Sequence, residues 1–100
     1  MVEQLATAPV TSPVLSDALL ERFHERAPTY DRENRFFAED FEDLREAGYL
    51  TIAVPAELGG RGLWLDGVCR EQRRLAYYAP ATALAINMHL YWTGLVADMW

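Results

Sequence analysis

The side chains most able to do chemistry in this sequence interrupt the apolar segment Ala81–Trp100, which contains an amide, an imidazole and a carboxylate. At about 100° per residue, one broad face of a helix would carry Ala83, Leu84, Asn87, Tyr91, Gly94 and Asp98. Thr82, His89 and Thr93 would lie on nearly the opposite side. Asn87 and His89 therefore cannot serve one small site together. We expect each polar group to find a hydrogen-bond partner within a core, as buried polar groups generally do.

No catalytic or metal-binding constellation follows from the other motifs. The glycine-rich run Gly59–Gly62 lacks the lysine and the serine or threonine of a Walker motif, so we interpret its glycines as serving backbone geometry. His24 has Glu21 and Glu25 nearby on a solvated helix, and no second histidine is spaced to share a metal. No Ser–His–Asp, Cys–His or two-carboxylate arrangement can be argued from spacing. We therefore predict no catalytic residue and no metal site.

The composition limits the size and the partners of the protein. The chain has 100 residues, enough for one domain with a modest core. Hydrophobic residues make up 51% and charged residues 24%, which excludes wholesale disorder. The formal net charge is -6 and every basic residue is an arginine. Nucleic-acid binding is disfavoured, because it depends on neutralising phosphates.

Cysteine usage and the N-terminus indicate the compartment. Cys69 is the single cysteine, so no internal disulfide can form, and we expect it to be a small packing residue. No basic segment precedes an apolar one near Met1, which excludes a secretory signal. These features favour a reducing, cytoplasmic location.

The hydrophobic pattern predicts four helices after a flexible tail over residues 1–14. Ser16 is a candidate N-cap for the first helix, and Pro28 should end or kink it because proline lacks an amide hydrogen. The apolar stripe of this helix consists of Leu15, Leu19, Phe23 and Ala27.

The later helices have clearer boundaries. The second runs near Ala38–Ala47, and Gly48 is placed to adopt a left-handed conformation after its last turn. The segment Thr51–Val54 is β-prone but too short to found a sheet. The third helix is expected over Leu65–Ala79, and the fourth from about Ala81 to Trp100. We therefore predict an all-α fold.

The fourth helix is apolar around nearly its whole circumference, which is typical of a central buried helix or a membrane span. Asn87, His89 and Asp98 would be costly in lipid, so we favour a buried helix and no membrane partner. Three short helices could cover only part of this surface. We therefore expect an incomplete domain, truncated at its C-terminal end, and an isolated chain that self-associates.

Three stretches together carry a family resemblance: residues 40–62, the triplet Arg74-Leu75-Ala76, and residues 81–89. From about Leu15 to Trp100 the chain resembles the N-terminal helical domain of flavin-dependent acyl-CoA dehydrogenases. The resemblance implies that the fourth helix borders the pocket for the acyl chain. Carried over by position, the residues that would line this pocket are Ala83, Leu84, Asn87 and Tyr91.

The resemblance also implies an activity that this chain cannot complete. In such enzymes a glutamate removes the α-proton of an acyl-CoA thioester while the β-hydride passes to flavin N5. The base and the FAD-binding residues lie in later domains. We therefore expect acyl-CoA and FAD as partners of a full-length homo-oligomeric enzyme, and no activity from the 100-residue chain alone.

Two alternatives stay open. The same fold serves flavin-dependent monooxygenases with oxygen as co-substrate, and the residues that separate them from dehydrogenases lie downstream. A non-catalytic helical interaction module would need a polar outer face on the fourth helix, and the segment Ala83–Trp100 does not offer one.

Overall fold

The computed structural model describes residues 13–100, in which four α-helices and two short 3-10 turns succeed one another. The helices are α1 (Asp17–Glu33), α2 (Ala38–Glu46), α3 (Leu65–Tyr78) and α4 (Pro80–Met99). The 3-10 turns, Tyr49–Thr51 and Ala56–Leu58, lie between α2 and α3. No strand occurs within residues 13–100. The predicted all-α, four-helix architecture is confirmed.

Most of the expected tail lies outside the described residues, which begin at Pro13. Val14 is half-buried against the core, and its N–H donates to Glu71 Oε1 at 3.2 Å. Arg74 is half-buried and donates to the carbonyl of Leu15. These contacts fasten the start of the helical domain to α3.

Helix α1 begins where its capping residue predicts. Ser16 is extended, and its Oγ accepts a hydrogen bond from the N–H of Leu19 at 3.1 Å. Of the two predicted effects of Pro28, an end of the helix is wrong, because α1 continues to Glu33. Tyr30 is buried on the turn beyond the proline and bonds to α2, and this tertiary contact offsets the hydrogen bond that Pro28 cannot make.

Replacing Ser16 by alanine is expected to lower the free energy of unfolding by about 1 kcal/mol, because one amide of the first turn loses its acceptor. Ser16→Asp is the matched control, since its carboxylate can accept the same bond and favours a helix N-terminus. Urea denaturation of the two variants and the parent measures the difference. Equal loss in both variants would contradict the capping role.

Helix α2 and its stop signal follow the prediction closely. Gly48 has φ +80°, and the chain then forms a 3-10 turn. The β-prone segment after it is not extended, since Ile52 N–H bonds to Tyr49 O at 3.4 Å and Val54 N–H to Thr51 O at 3.1 Å. Local bonds satisfy this backbone, and Ile52 reaches the core from a turn.

The loop that follows packs backbone against backbone at Gly60. A Cβ added there would lie 2.6 Å from Thr51 O and nearer still to Val54 O. The neighbouring amide of Gly62 donates to Val54 O at 2.8 Å, which holds the two segments together. The close approach of these two backbone segments leaves no room for a side chain at Gly60, which agrees with the predicted backbone role of this glycine.

One side of α4 joins the core and the other side is open. The buried members of the core are Leu15, Leu20, Phe23, Leu44, Tyr49, Ile52, Leu75, Ala79, Ala83, Ile86 and Leu90. On the outer surface of α4, Leu84, Met88 and Trp92 are all more than half exposed. The expectation that three helices cover only part of α4 is confirmed. Among the helices of residues 13–100, none has the length and apolarity needed to cross a bilayer.

A buried carboxylate ties three helices together near the start of α4. Asp40 of α2 has no exposed surface and accepts hydrogen bonds from Thr82 Oγ1 at 2.9 Å and Arg26 Nη1 at 3.0 Å. Tyr30 OH lies 3.2 Å from Asp40 Oδ1 and 3.2 Å from its N–H. Burial raises the pKa of Asp40, against the opposing effect of these hydrogen bonds. The network fixes how α1, α2 and α4 meet.

Arg26 is shared between two carboxylates. Its Nη1 lies 2.9 Å from Asp43 Oδ2 as well as 3.0 Å from Asp40 Oδ1. The Asp43 contact is an ion pair by distance only, because Asp43 Oδ2 has no hydrogen bond of favourable geometry among the described residues. The stronger, directional contact is therefore the one to Asp40.

Candidate functional site

A groove of about 870 Å³ runs between α3, α4 and the loop that joins the 3-10 turns to α3. Its apolar walls include Ala53, Leu63, Trp64, Val68, Leu90 and Leu95. Its polar groups come from Glu57, Arg61, Gln72, Asn87 and Asp98. A mainly apolar groove with a few polar groups is the usual form of a small-molecule site, and this volume lies in the usual range.

The structure brings two of the four predicted pocket residues into this groove. Asn87 and Tyr91 line it, one turn apart on α4. Ala83 is 4% exposed and belongs to the buried core cluster. Leu84 is 78% exposed and lies on the outer surface of α4, outside the groove. The predicted face is therefore broader than the groove.

The other end of the predicted face also reaches the groove. Gly94 and Asp98 both line it, as their spacing from Asn87 indicates. His89 and Thr93 lie on the side of α4 that sequence periodicity assigned to them. His89 Nε2 is 2.6 Å from Leu50 O, and Thr93 Oγ1 donates to His89 O at 3.0 Å. Both polar groups thus have partners away from the groove.

A short chain of hydrogen bonds connects the core to the polar part of the groove. Tyr49 OH donates to Gln72 Oε1 at 2.8 Å, and Gln72 Nε2 donates to Ala83 O at 3.1 Å. Gln72 Nε2 also lies 3.4 Å from Asn87 Oδ1. Tyr49 has no exposed surface, and burial raises the pKa of its phenol. This tyrosine therefore remains a protonated donor at neutral pH.

Sequence reasoning did not identify Gln72 or Cys69 as lining residues of the groove. Gln72 lies among apolar residues of α3, and an amide within an apolar stripe is a recognisable signal of a buried polar contact. The expectation that Cys69 is a small packing residue is wrong, because its side chain is exposed and lines the groove. Its position one turn before Gln72 places it on the groove side of α3.

The polar groups of the groove do not match the requirements of FAD. A flavin diphosphate needs several cations or N–H donors, whereas Glu57 and Asp98 are carboxylates and Arg61 is the one cation among the described lining residues. The residues described here therefore do not form a FAD site by themselves. Within residues 13–100, no three His, Cys, Asp or Glu side chains converge as metal ligands would.

Sequence comparison assigns this chain to a known family. The family pattern described as "Acyl-CoA dehydrogenase, N-terminal domain" matches residues 15–98, which include all four helices apart from the last residue of α4. The chain belongs to the acyl-CoA dehydrogenase family. The match includes the complete groove apart from Trp100.

Three curated relatives match this chain in sequence. "Putative acyl-CoA dehydrogenase YdbM" of Bacillus subtilis (strain 168) is 38% identical over 80 residues, covering 80% of this chain and 21% of the relative. L-evernosamine nitrososynthase of a Micromonospora species is 38% identical over 73 residues, covering 72% of this chain and 17% of that protein. Amino sugar nitrososynthase RubN8 of Streptomyces rubradiris is 36% identical over 87 residues, covering 81% and 21%.

The chain thus spans about a fifth of the length of the curated relatives that it matches. No solved structure gives a significant match. Family membership therefore rests on the helical domain alone.

Proposed function

We propose that this chain is the N-terminal helical domain of a flavin-dependent oxidoreductase that dehydrogenates an acyl-CoA thioester between its α and β carbons. In that enzyme the groove beside α4 forms one wall of the acyl pocket. The observation that carries this proposal is the presence of Asn87 and Tyr91 in one largely apolar groove. A hydrocarbon chain gains roughly 0.8 kcal/mol for each methylene that such a surface removes from water.

The bond-breaking groups belong, in this proposal, to other parts of the complete protein. The described groove holds no arrangement suited to FAD, and the family resemblance implies that the base and the flavin-binding residues lie in later domains. FAD supplies hydride acceptance when bound, and the helical domain contributes shape and apolar contact to the substrate. We accordingly assign FAD, acyl-CoA and a homo-oligomeric state to a complete cytoplasmic enzyme, and no activity to the helical domain by itself.

A second function is supported by the charges in the groove. Two relatives are named nitrososynthases, which indicates oxidation of an amine nitrogen, and the carboxylates of Glu57 and Asp98 line the groove. Carboxylates favour a cationic amine over a neutral thioester tail. The alternative is therefore a flavin-dependent monooxygenase that oxidises an amino sugar with oxygen as co-substrate.

One pair of assays on the complete protein separates the two functions. Anaerobic bleaching of the bound flavin by hexanoyl-CoA is expected of a dehydrogenase, because the substrate itself reduces the flavin. Oxygen uptake that requires NADPH, a flavin reductase and an amino sugar is expected of a monooxygenase. Oxygen uptake in the amino sugar assay without flavin bleaching by hexanoyl-CoA would contradict the dehydrogenase proposal.

Replacing Tyr91 by alanine is expected to lower kcat/KM for the preferred acyl-CoA about tenfold, because the acyl chain loses one aromatic wall. Tyr77→Ala is the matched control, since Tyr77 is 84% exposed on α3 and does not line the groove. Its kcat/KM should stay within about twofold of the parent. Similar losses in both variants would show that the groove is not the acyl pocket.

A further inference from the structure

The amide of Gln72 has only one orientation that satisfies both of its neighbours. Its Nε2 lies 3.1 Å from the backbone carbonyl of Ala83, which can accept a hydrogen bond but cannot donate one. The carbonyl side of Gln72 therefore faces Tyr49, whose OH lies 2.8 Å from Oε1. Because Tyr49 is fully buried, this arrangement is held from inside the core.

The orientation of Asn87 follows from that of Gln72. Gln72 Nε2 is a donor and lies 3.4 Å from Asn87, so the atom that faces it must be the acceptor Oδ1. Nδ2 and its two N–H groups then lie on the far side of the amide. Asn87 is exposed and lines the groove, and its Nδ2 has no hydrogen bond among residues 13–100.

We infer that Asn87 is a specificity-determining residue that presents N–H donors to the groove and selects ligands carrying an acceptor oxygen opposite its Nδ2. An ether or carbonyl oxygen on the substrate chain meets this requirement, whereas an ammonium group would place N–H against N–H. The inference rests on the proposed function, because it assumes that the substrate chain occupies this groove. Tyr49 and Gln72 act as positioning residues.

The assignment of donors and acceptors at Gln72 and Asn87 can be tested without any ligand. Two substitutions serve this test, and each replaces an amide by a carboxylate. Asn87→Asp keeps an acceptor opposite Gln72 Nε2, so the Tm of the complete protein should stay within about 2 °C of the parent. Gln72→Glu places a carboxylate oxygen against the carbonyl of Ala83, which cannot donate, and the Tm should fall by about 4 °C or more. Equal losses, or a greater loss from Asn87→Asp, would overturn the inference.

Recognition itself can be tested with acyl-CoA thioesters in which an ether oxygen replaces one methylene. The oxygen is moved along the chain one position at a time, and each probe is compared with its hydrocarbon isostere on the complete protein. At one position kcat/KM should rise about fivefold, as expected for one additional hydrogen bond, and Asn87→Leu should abolish the gain.

The probes also separate failure of this inference from failure of the proposed function. If hydrocarbon thioesters turn over but no oxygen position gives a gain, Asn87 does not select an acceptor and the inference is overturned alone. If no thioester binds or reduces the flavin, the acyl-pocket proposal fails and the inference falls with it.

Discussion

Replacing Gly60 by alanine is expected to lower the free energy of unfolding by about 3 kcal/mol, because the new methyl group would clash with fixed backbone. Its Cβ would lie 2.6 Å from Thr51 O and 2.5 Å from the Cβ of Val54. Neither neighbour is the flexible end of a long side chain, so relief requires the loop itself to move. Chemical denaturation monitored by circular dichroism measures the loss.

Gly67 provides the matched control for this experiment. It also lacks a side chain, but it lies within α3, and an added Cβ would meet Leu63 Cβ at 3.4 Å, an ordinary contact. Gly67→Ala should therefore raise the free energy of unfolding by about 0.5 kcal/mol through helix propensity. Because the loop precedes α3 and borders the groove, Gly60→Ala should also weaken substrate binding in the complete protein. The two substitutions should change the free energy of unfolding in opposite directions. An unchanged free energy in Gly60→Ala would refute the close approach.

Removing the carboxyl group of Asp40 is expected to cost about 3 kcal/mol of stability, at the lower end of the range for breaking a buried ion pair. The loss leaves Thr82 and Tyr30 without their shared acceptor. It is moderated because Arg26 retains Asp43 at 2.9 Å and is 25% exposed. Urea denaturation of Asp40→Ala measures the effect.

Asp31→Ala is the control, since Asp31 is an exposed carboxylate on α1, and its effect should stay within about 0.5 kcal/mol.

The pH dependence of the stability loss in Asp40→Ala provides a second test. Burial raises the pKa of Asp40 above its ordinary value of 3.8, so its protonated form stabilises the fold below that pH and the contribution is lost as the pH rises through the folded-state pKa. The cost of Asp40→Ala should therefore be larger near pH 4 than at pH 7. A cost that decreases on acidification would contradict this assignment.

The sequence was sufficient to predict the structure where a single residue determines the local backbone conformation. Ser16 caps α1 through its own side chain, and Gly48 adopts the left-handed conformation that stops α2. Neither outcome depends on a partner distant in sequence. The existence and order of the four helices could be predicted for the same reason.

Tertiary contacts decided the places where sequence reasoning failed. Pro28 does not end α1, because Tyr30 on the next turn is held by Asp40 of α2. Local propensity is a weak prior beside such contacts.

Helical periodicity predicted some of the residues that line the groove, but not which residues of the same face are buried in the core. Helical spacing placed Asn87 and Tyr91 on one face, and both line the groove, while their role in binding acyl chains stays a prediction. The same spacing could not show that Ala83 is buried in the core. Nor could it reveal the contact of Asp40 with Thr82, which are 42 residues apart in sequence.

A tryptophan side chain lies beside each of the two surfaces of α4. Trp64 lines the groove on one side, whereas Trp92 is 55% exposed on the other side and lies outside the groove. Indole emission moves to shorter wavelength when water is excluded. Single-tryptophan variants would thus report occupation of the groove and covering of the outer surface as separate fluorescence signals, without any attached dye.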